Sequence, residues 1–179
     1  MRKFLKWIIL VCSCVCLCNC TEKEDNPESK SYTFEEILWP SADGINVDSN
    51  QKVQIDYSNV AQGYFMVETL TAEHAKVKIQ VTKNDEKYTY DLNKDNTYEV
   101  FPLNMGDGKY DVKVFENVSD DQYGLLMDTA FDVKLDDVFL PYLYPNQIVD
   151  YNKDTLCLEK SFVLTKDDKT DLQRVQHIF

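Results

Sequence analysis

From Val53 to Leu135 apolar and polar residues alternate with a period of two. Val53, Ile55 and Tyr57 flank Gln54 and Asp56, and Val77, Ile79 and Val81 flank Lys78 and Gln80. The pattern returns at Tyr88, Tyr90 and Leu92, at Tyr98 and Val100, at Tyr110, Val112 and Val114, and at Phe131, Val133 and Leu135. Tyr64 to Leu70 is a more continuous apolar run. Period two with β-branched and aromatic residues predicts strands with one face toward a core and one toward water. Turn-forming stretches separate the runs: Asn84-Asp85-Glu86, Asn93-Lys94-Asp95-Asn96, Met105-Gly106-Asp107-Gly108 and Ser119-Asp120-Asp121. Asn, Asp and Gly tolerate the positive φ that tight turns use. Short strands at a spacing of about ten residues predict an all-β, immunoglobulin/fibronectin-like β-sandwich over 35–138 rather than a helical or α/β fold.

One local feature sharpens this expectation. Asp107-Gly108-Lys109-Tyr110-Asp111-Val112 resembles the D-G-x-Y-x-V corner that opens the sixth strand of many immunoglobulin-like domains. In that corner the tyrosine hydroxyl bonds backbone a few residues upstream. The plainer alternative is a tyrosine that only packs in the core. Asp107, Gly108 and Tyr110 are therefore the candidate structural residues.

After Leu135 the pattern changes. Phe139-Leu140-Pro141-Tyr142-Leu143-Tyr144-Pro145-Asn146 is an aromatic connector whose two prolines disfavour helix and central strand. It is expected to lie against one end of the sandwich, with a platform of exposed tyrosines as the alternative. Asp154 to Thr165 is expected to form a short helix, with Asn152 as a cap and Leu156, Leu158, Phe162 and Val163 giving it an apolar side. Thr170-Asp171-Leu172-Gln173 matches a capping box and opens a second helix, in which Leu172, Val175 and Phe179 share a face. Residues 139–179 thus read as a connector and a short helical extension.

The first residues concern the compartment. Arg2, Lys3 and Lys6 precede a run from Trp7 to Leu17 that is apolar apart from Ser13, the pattern of a secretory signal. That run is shorter than the roughly 20 residues a membrane span needs. Five of the six cysteines, Cys12, Cys14, Cys16, Cys18 and Cys20, alternate through this segment. Their spacing inside a signal argues against a disulfide framework. The segment resembles a bacterial lipoprotein signal, in which a cysteine just after the apolar run is lipidated. Cys20 stands at the typical distance but follows Asn19, where the family prefers a small residue. Cys14 follows the better Ser13 but leaves a very short apolar run. Residues 1–20 are the expected signal peptide, with Cys20 as the lipidation site and Cys14 as the alternative. Residues 21–34 are polar, hold Pro27 and read as a tether that buries too little to fold. The expected place is the outer face of the cell membrane, held by an N-terminal lipid anchor.

Charge narrows the partners. With 19 Lys and Arg against 31 Asp and Glu, the formal charge is −12. Nucleic acid and anionic lipid both need basic patches, so neither is expected to bind. Beyond the signal, the residues of nucleophilic chemistry are Cys157, His74 and His177. Cys157 lies in the apolar run Leu156-Cys157-Leu158, where a cysteine usually serves as a small core hydrophobe. Zinc needs three or four closely spaced ligands, which two scattered histidines and one cysteine do not provide. Asp120-Asp121 and Asn93 to Asn96 offer oxygen atoms, but without an alternating calcium loop, so solvated turns are favoured. There is no phosphate loop and no dinucleotide fingerprint. No catalytic residue, cofactor or metal is expected.

Several short motifs bear a further resemblance. They are Gly63-Tyr64-Phe65-Met66-Val67, Asp107-Gly108-Lys109-Tyr110, Phe139-Leu140-Pro141 with Leu143-Tyr144-Pro145-Asn146-Gln147, and Leu164-Thr165 followed by Thr170-Asp171-Leu172-Gln173-Arg174-Val175. In this order, 58–179 resembles the N-terminal part of surface lipoproteins of anaerobic Gram-positive bacteria that carry a transglutaminase-like domain. In that family a β-sandwich precedes a papain-like core with a Cys, His and Asp triad. The present sequence has no position matching that triad, so no catalytic residue carries over. The resemblance implies a truncated relative, a non-catalytic accessory module on the cell surface. The alternative is a self-sufficient binding lipoprotein that recognises a glycan, a wall polymer or a protein.

Overall fold

The computed structural model describes residues 37–71, 76–93 and 96–179. The signal segment with Cys14 and Cys20, the tether and His74 lie outside the described residues. Among the described residues, contacts divide the chain into a unit that ends at Val163 and a second that holds Leu164–Phe179. The first unit holds all the strands described.

Those strands form two antiparallel four-stranded sheets, a β-sandwich. In chain order they are β1 (Val47–Ser49), β2 (Val53–Asp56), β3 (Tyr64–Thr69), β4 (Val77–Lys83), β5 (Glu86–Leu92), β6 (Glu99–Pro102), β7 (Gly108–Ser119) and β8 (Gln122–Val133). The first sheet runs β1-β2-β3-β6 and the second runs β5-β4-β7-β8. The seven expected strands correspond to β2 through β8. β1 is additional; at three residues it is too short to show a period. β7 runs well past Val114, and β8 starts nine residues before Phe131 but stops at Val133, short of Leu135; the two form a long ribbon turning at Asp120, whose φ is +44°.

Alternation in sequence becomes a shared interior. Val53, Ile55, Phe65, Val67 and Phe101 of the first sheet meet Ile79, Val81, Tyr110, Val112, Val114 and Phe131 of the second. Rings carry much of this contact. Phe65 lies 5.4 Å from Phe101 in its own sheet and 5.8 Å from Phe131 in the other, and Phe131 stacks on Tyr110 at 6.3 Å. Burying each such side chain contributes about 1.5–3 kcal/mol.

The continuous apolar run of β3 has a separate cause. Phe65 and Val67 face the interior, while Tyr64 and Met66 face outward and are also buried. Tyr64, Met66 and Val100 pack with Tyr144, Leu38 and Leu140 in a second cluster. The connector therefore covers the outer face of the first sheet, and a strand covered on both faces loses its alternation. Gly63 makes the approach. Its φ is +88°, and a Cβ there would stand 2.6 Å from the backbone nitrogen of Pro141. Pro141 itself is buried within a 3-10 turn, Leu140–Tyr142. Tyr144 meets Tyr64 at 4.7 Å and donates its hydroxyl proton to Gln62 Oε1 at 3.2 Å.

The corner before β7 is built from the residues singled out above. The Tyr110 ring is fully buried. Its hydroxyl donates toward the carbonyls of Leu103, at 3.1 Å, and Gly106, at 2.9 Å. Burial raises the phenol pKa, so the group stays a neutral donor. Gly108 has φ +134°. Asp107 accepts from Lys134 Nζ and from the Leu135 amide, and these bonds, the lysine's first, hold its carboxyl below the usual range. This exposed contact is therefore intact above the ordinary carboxylate pKa and is lost as pH falls through the lowered value.

Two helices follow, α1 (Leu156–Thr165) and α2 (Asp171–Ile178). Asn152 Oδ1 accepts the Asp154 amide at 2.9 Å, capping the turn that leads into α1. Only part of the expected apolar side of α1 is covered: Leu158 and Phe162 are half-buried, while Leu156 and Val163 are exposed. Cys157 is exposed too, which corrects the expectation of a core cysteine. A one-residue step along a helix turns a side chain by about 100°, so the neighbours of Leu158 point elsewhere. Thr170 and Gln173 form the complete capping box that opens α2, and its apolar stripe is exposed.

Tyr110→Phe should lower unfolding stability by about 1–2 kcal/mol, because it leaves buried carbonyls without their donor. Gly63→Ala should cost more, about 2–4 kcal/mol, from the strained φ and the clash with the Pro141 backbone. Urea unfolding of the two variants, followed by tryptophan emission, measures both.

Candidate functional site

A cleft of about 270 Å³ opens on the outer face of the first sheet. Its floor is strand: Met66 from β3 and Glu99 and Val100 from β6, with Tyr98 just before. Trp39 and Pro40 form one wall, and Pro145, Asn146, Gln147, Asp150 and Tyr151 of the connector form the other. β6 is an edge strand of its sheet, and the Gln147 amide donates to the Val100 carbonyl at 3.3 Å. The connector thus covers an edge that would otherwise be open. The cleft is the gap left between that cover and Trp39.

Gln147 and Glu99 fix the connector. Glu99 is buried and accepts from the Asn93 amide at 2.6 Å and from Gln147 Nε2 at 2.8 Å. The same Gln147 amide also donates to the Asp91 carbonyl on β5. Asn146 Oδ1 accepts the amides of Ile148, at 2.9 Å, and Val149, at 3.1 Å, which sets the turn before Asp150 and Tyr151.

The rings are held as firmly. Trp39 and Tyr151 meet edge to face at 5.8 Å, and the Tyr151 hydroxyl donates to the Leu143 carbonyl at 3.1 Å. Gln54 Nε2 donates to the Tyr98 hydroxyl. Burial raises both phenol pKa values, so Tyr98 and Tyr151 are neutral across the physiological range. Among the described residues the formal charges that line the cleft belong to two carboxylates, Glu99 in its floor and Asp150, exposed, in its wall. Lys153 Nζ lies 6.0 Å from the centre of the Trp39 ring, although Lys153 does not itself line the cleft. Such a set of aromatic surface and a few fixed polar groups is what a small-molecule site requires.

The residues weighed for chemistry do not gather here. Cys157 is exposed on α1. His177 Nδ1 lies 2.8 and 3.0 Å from the two carboxylate oxygens of Asp168. Asp120 and Asp121 form the exposed tip of the β7–β8 ribbon. Among the described residues no group of three His, Cys, Asp or Glu is placed to hold a metal ion, and no helix is long and apolar enough to cross a membrane. Asp107, Gly108 and Tyr110 stand together at the corner before β7. Sequence reasoning did not find the cleft. Tyr98 counted only as a strand residue, Gln147 only as part of a family motif, and Trp39 fell in no periodic segment. The usable signals were a lone tryptophan just before the first strands and a polar Asn-Gln pair closing an aromatic connector.

Glu99→Gln should destabilise the first unit by about 1–3 kcal/mol, since Asn93 and Gln147 donate to different carboxylate oxygens and an amide would set its NH2 against one of them. Amide exchange at Gln147 should then speed up while exchange at Tyr110 stays slow.

No family model, no curated protein and no solved structure matches this chain.

Proposed function

We propose that this protein is a non-catalytic, exported binding module, whose sandwich takes its ligand in the Trp39 cleft. The observation that carries this reading is the cleft itself, where three rings and two carboxylates share one small space on a fixed framework. Ligands in view are a glycan, a wall polymer or a protein of the cell surface. The anchor is a lipid on Cys20, or on Cys14 in the alternative reading of the signal. The charged start, short apolar run and cysteines of the first twenty residues support it.

The sandwich is of the immunoglobulin/fibronectin kind in this proposal. Support comes from the strand order and from the Tyr110 hydroxyl turned back on upstream carbonyls. The accessory role beside a transglutaminase-like core is the second reading. One observation favours it: the resembling motifs contain residues that touch one another. Gly63 meets Pro141 and Tyr64 meets Tyr144. A shared scaffold would keep such contacts whatever its chemistry.

In detergent, the full chain should bind at least one member of a panel of envelope glycans, wall polymers and surface proteins, saturably. Trp39→Ala should abolish that binding without unfolding the protein. Hydrolysis or cross-linking of peptides by the purified chain would overturn the non-catalytic reading. Mass spectrometry of the exported protein should find the lipid on Cys20.

A further inference from the structure

We propose that the cleft recognises an organic ammonium group, the cationic head of a ligand carrying a substituted amine. This deepens the binding reading above and rests on it. Three features converge on a cation. The lining offers the faces and edges of Trp39, Tyr98 and Tyr151, and aromatic rings attract ammonium groups, tryptophan most strongly. Among the described residues the carboxylates that line the cleft are Asp150 and Glu99, the latter already accepting from Asn93 and Gln147. The chain's net charge of −12 favours cations over anions in general.

The fourth observation is direct. The protein already sets an ammonium of its own against this tryptophan, Lys153 Nζ at 6.0 Å from the ring centre. That distance is the outer limit of a cation–π contact, and Lys153 is exposed, so the contact is weak and easily displaced. It shows that the Trp39 ring accepts an ammonium neighbour, although Lys153 itself does not line the cleft. Size agrees with a head group rather than a polymer. The cleft is slightly smaller than the roughly 300 Å³ at which drug-sized pockets begin. Methylated amines suit such a site better than a bare ammonium, because their charge is spread over carbon and costs less to strip of water.

The test uses the full chain in detergent micelles with Trp7→Phe, which leaves Trp39 as the only indole. Its emission is titrated with choline, with 3,3-dimethylbutan-1-ol, the uncharged shape-mimic of choline, and with N-acetylglucosamine. Choline should shift the emission saturably, and the neutral mimic should bind about fivefold more weakly or worse. Tyr151→Leu removes one ring of the lining and should weaken choline about threefold or more while leaving the neutral mimic little changed. Equal binding of choline and its neutral mimic would overturn the ammonium assignment, as would choline binding unchanged by Tyr151→Leu. In either case, saturable binding of the mimic or the saccharide would leave the cleft a neutral-ligand site and the broader reading intact. No saturable response to any of the three, together with an envelope panel without hits, would remove both.

Discussion

Two sheets stay together here because rings from both interlock across the gap between them. Phe65 of β3 reaches Phe131 of β8, and Phe131 stacks against Tyr110 of β7 and, at 5.2 Å, against Tyr57. Each strand supplies its inward residues only because its outward ones stay wet or covered. A shift of one position in any pairing would exchange the two sets. Tyr110 adds a second constraint to its packing. Its hydroxyl ties a core ring to the backbone of the preceding corner, so the core and the corner hold their places together.

The open sides of the sandwich are closed by polar bonds rather than by strand pairing. On one side Thr129 of β8 donates to Asp48 of β1 at 2.9 Å, and Asn50 donates to the Leu126 carbonyl at 2.9 Å. On the other side Gln147 bridges Asp91 of β5 and Glu99 of β6. The cleft belongs to this second closure. Its wall is the segment that does the bridging, so the cleft wall and the structural clasp are one piece of chain. Removing the wall to enlarge the cleft would also uncover the β6 edge.

Much of the sandwich was legible in the sequence, since a buried face writes its period into the chain. Val77, Ile79 and Val81 could be assigned inward before any coordinates, and so could Tyr110, Val112 and Val114. β1 escaped because three residues carry no period. The far half of β8 escaped because Gly124-Leu125-Leu126-Met127 breaks alternation. There β8 holds one extra residue against β7, between the Val114–Met127 and Phe115–Leu125 pairs. Cys157 misled because apolar neighbours in sequence are not neighbours on a helix. The cleft was invisible for a different reason. It joins Trp39, Tyr98 and Gln147, residues brought together by the path of the connector, and no local pattern encodes that path.

The extra residue in β8 has an effect beyond its own strand. β8 is the longest edge in the second sheet, and a long straight edge is a template on which another copy of the same chain can add its own strand. The bulge kinks that template, Asn50 occupies the carbonyl of Leu126 at the kink, and Asp128 and Asp132 set negative charge along the remainder. A neighbour approaching edge-on would meet a bent, partly spent and repelling strand.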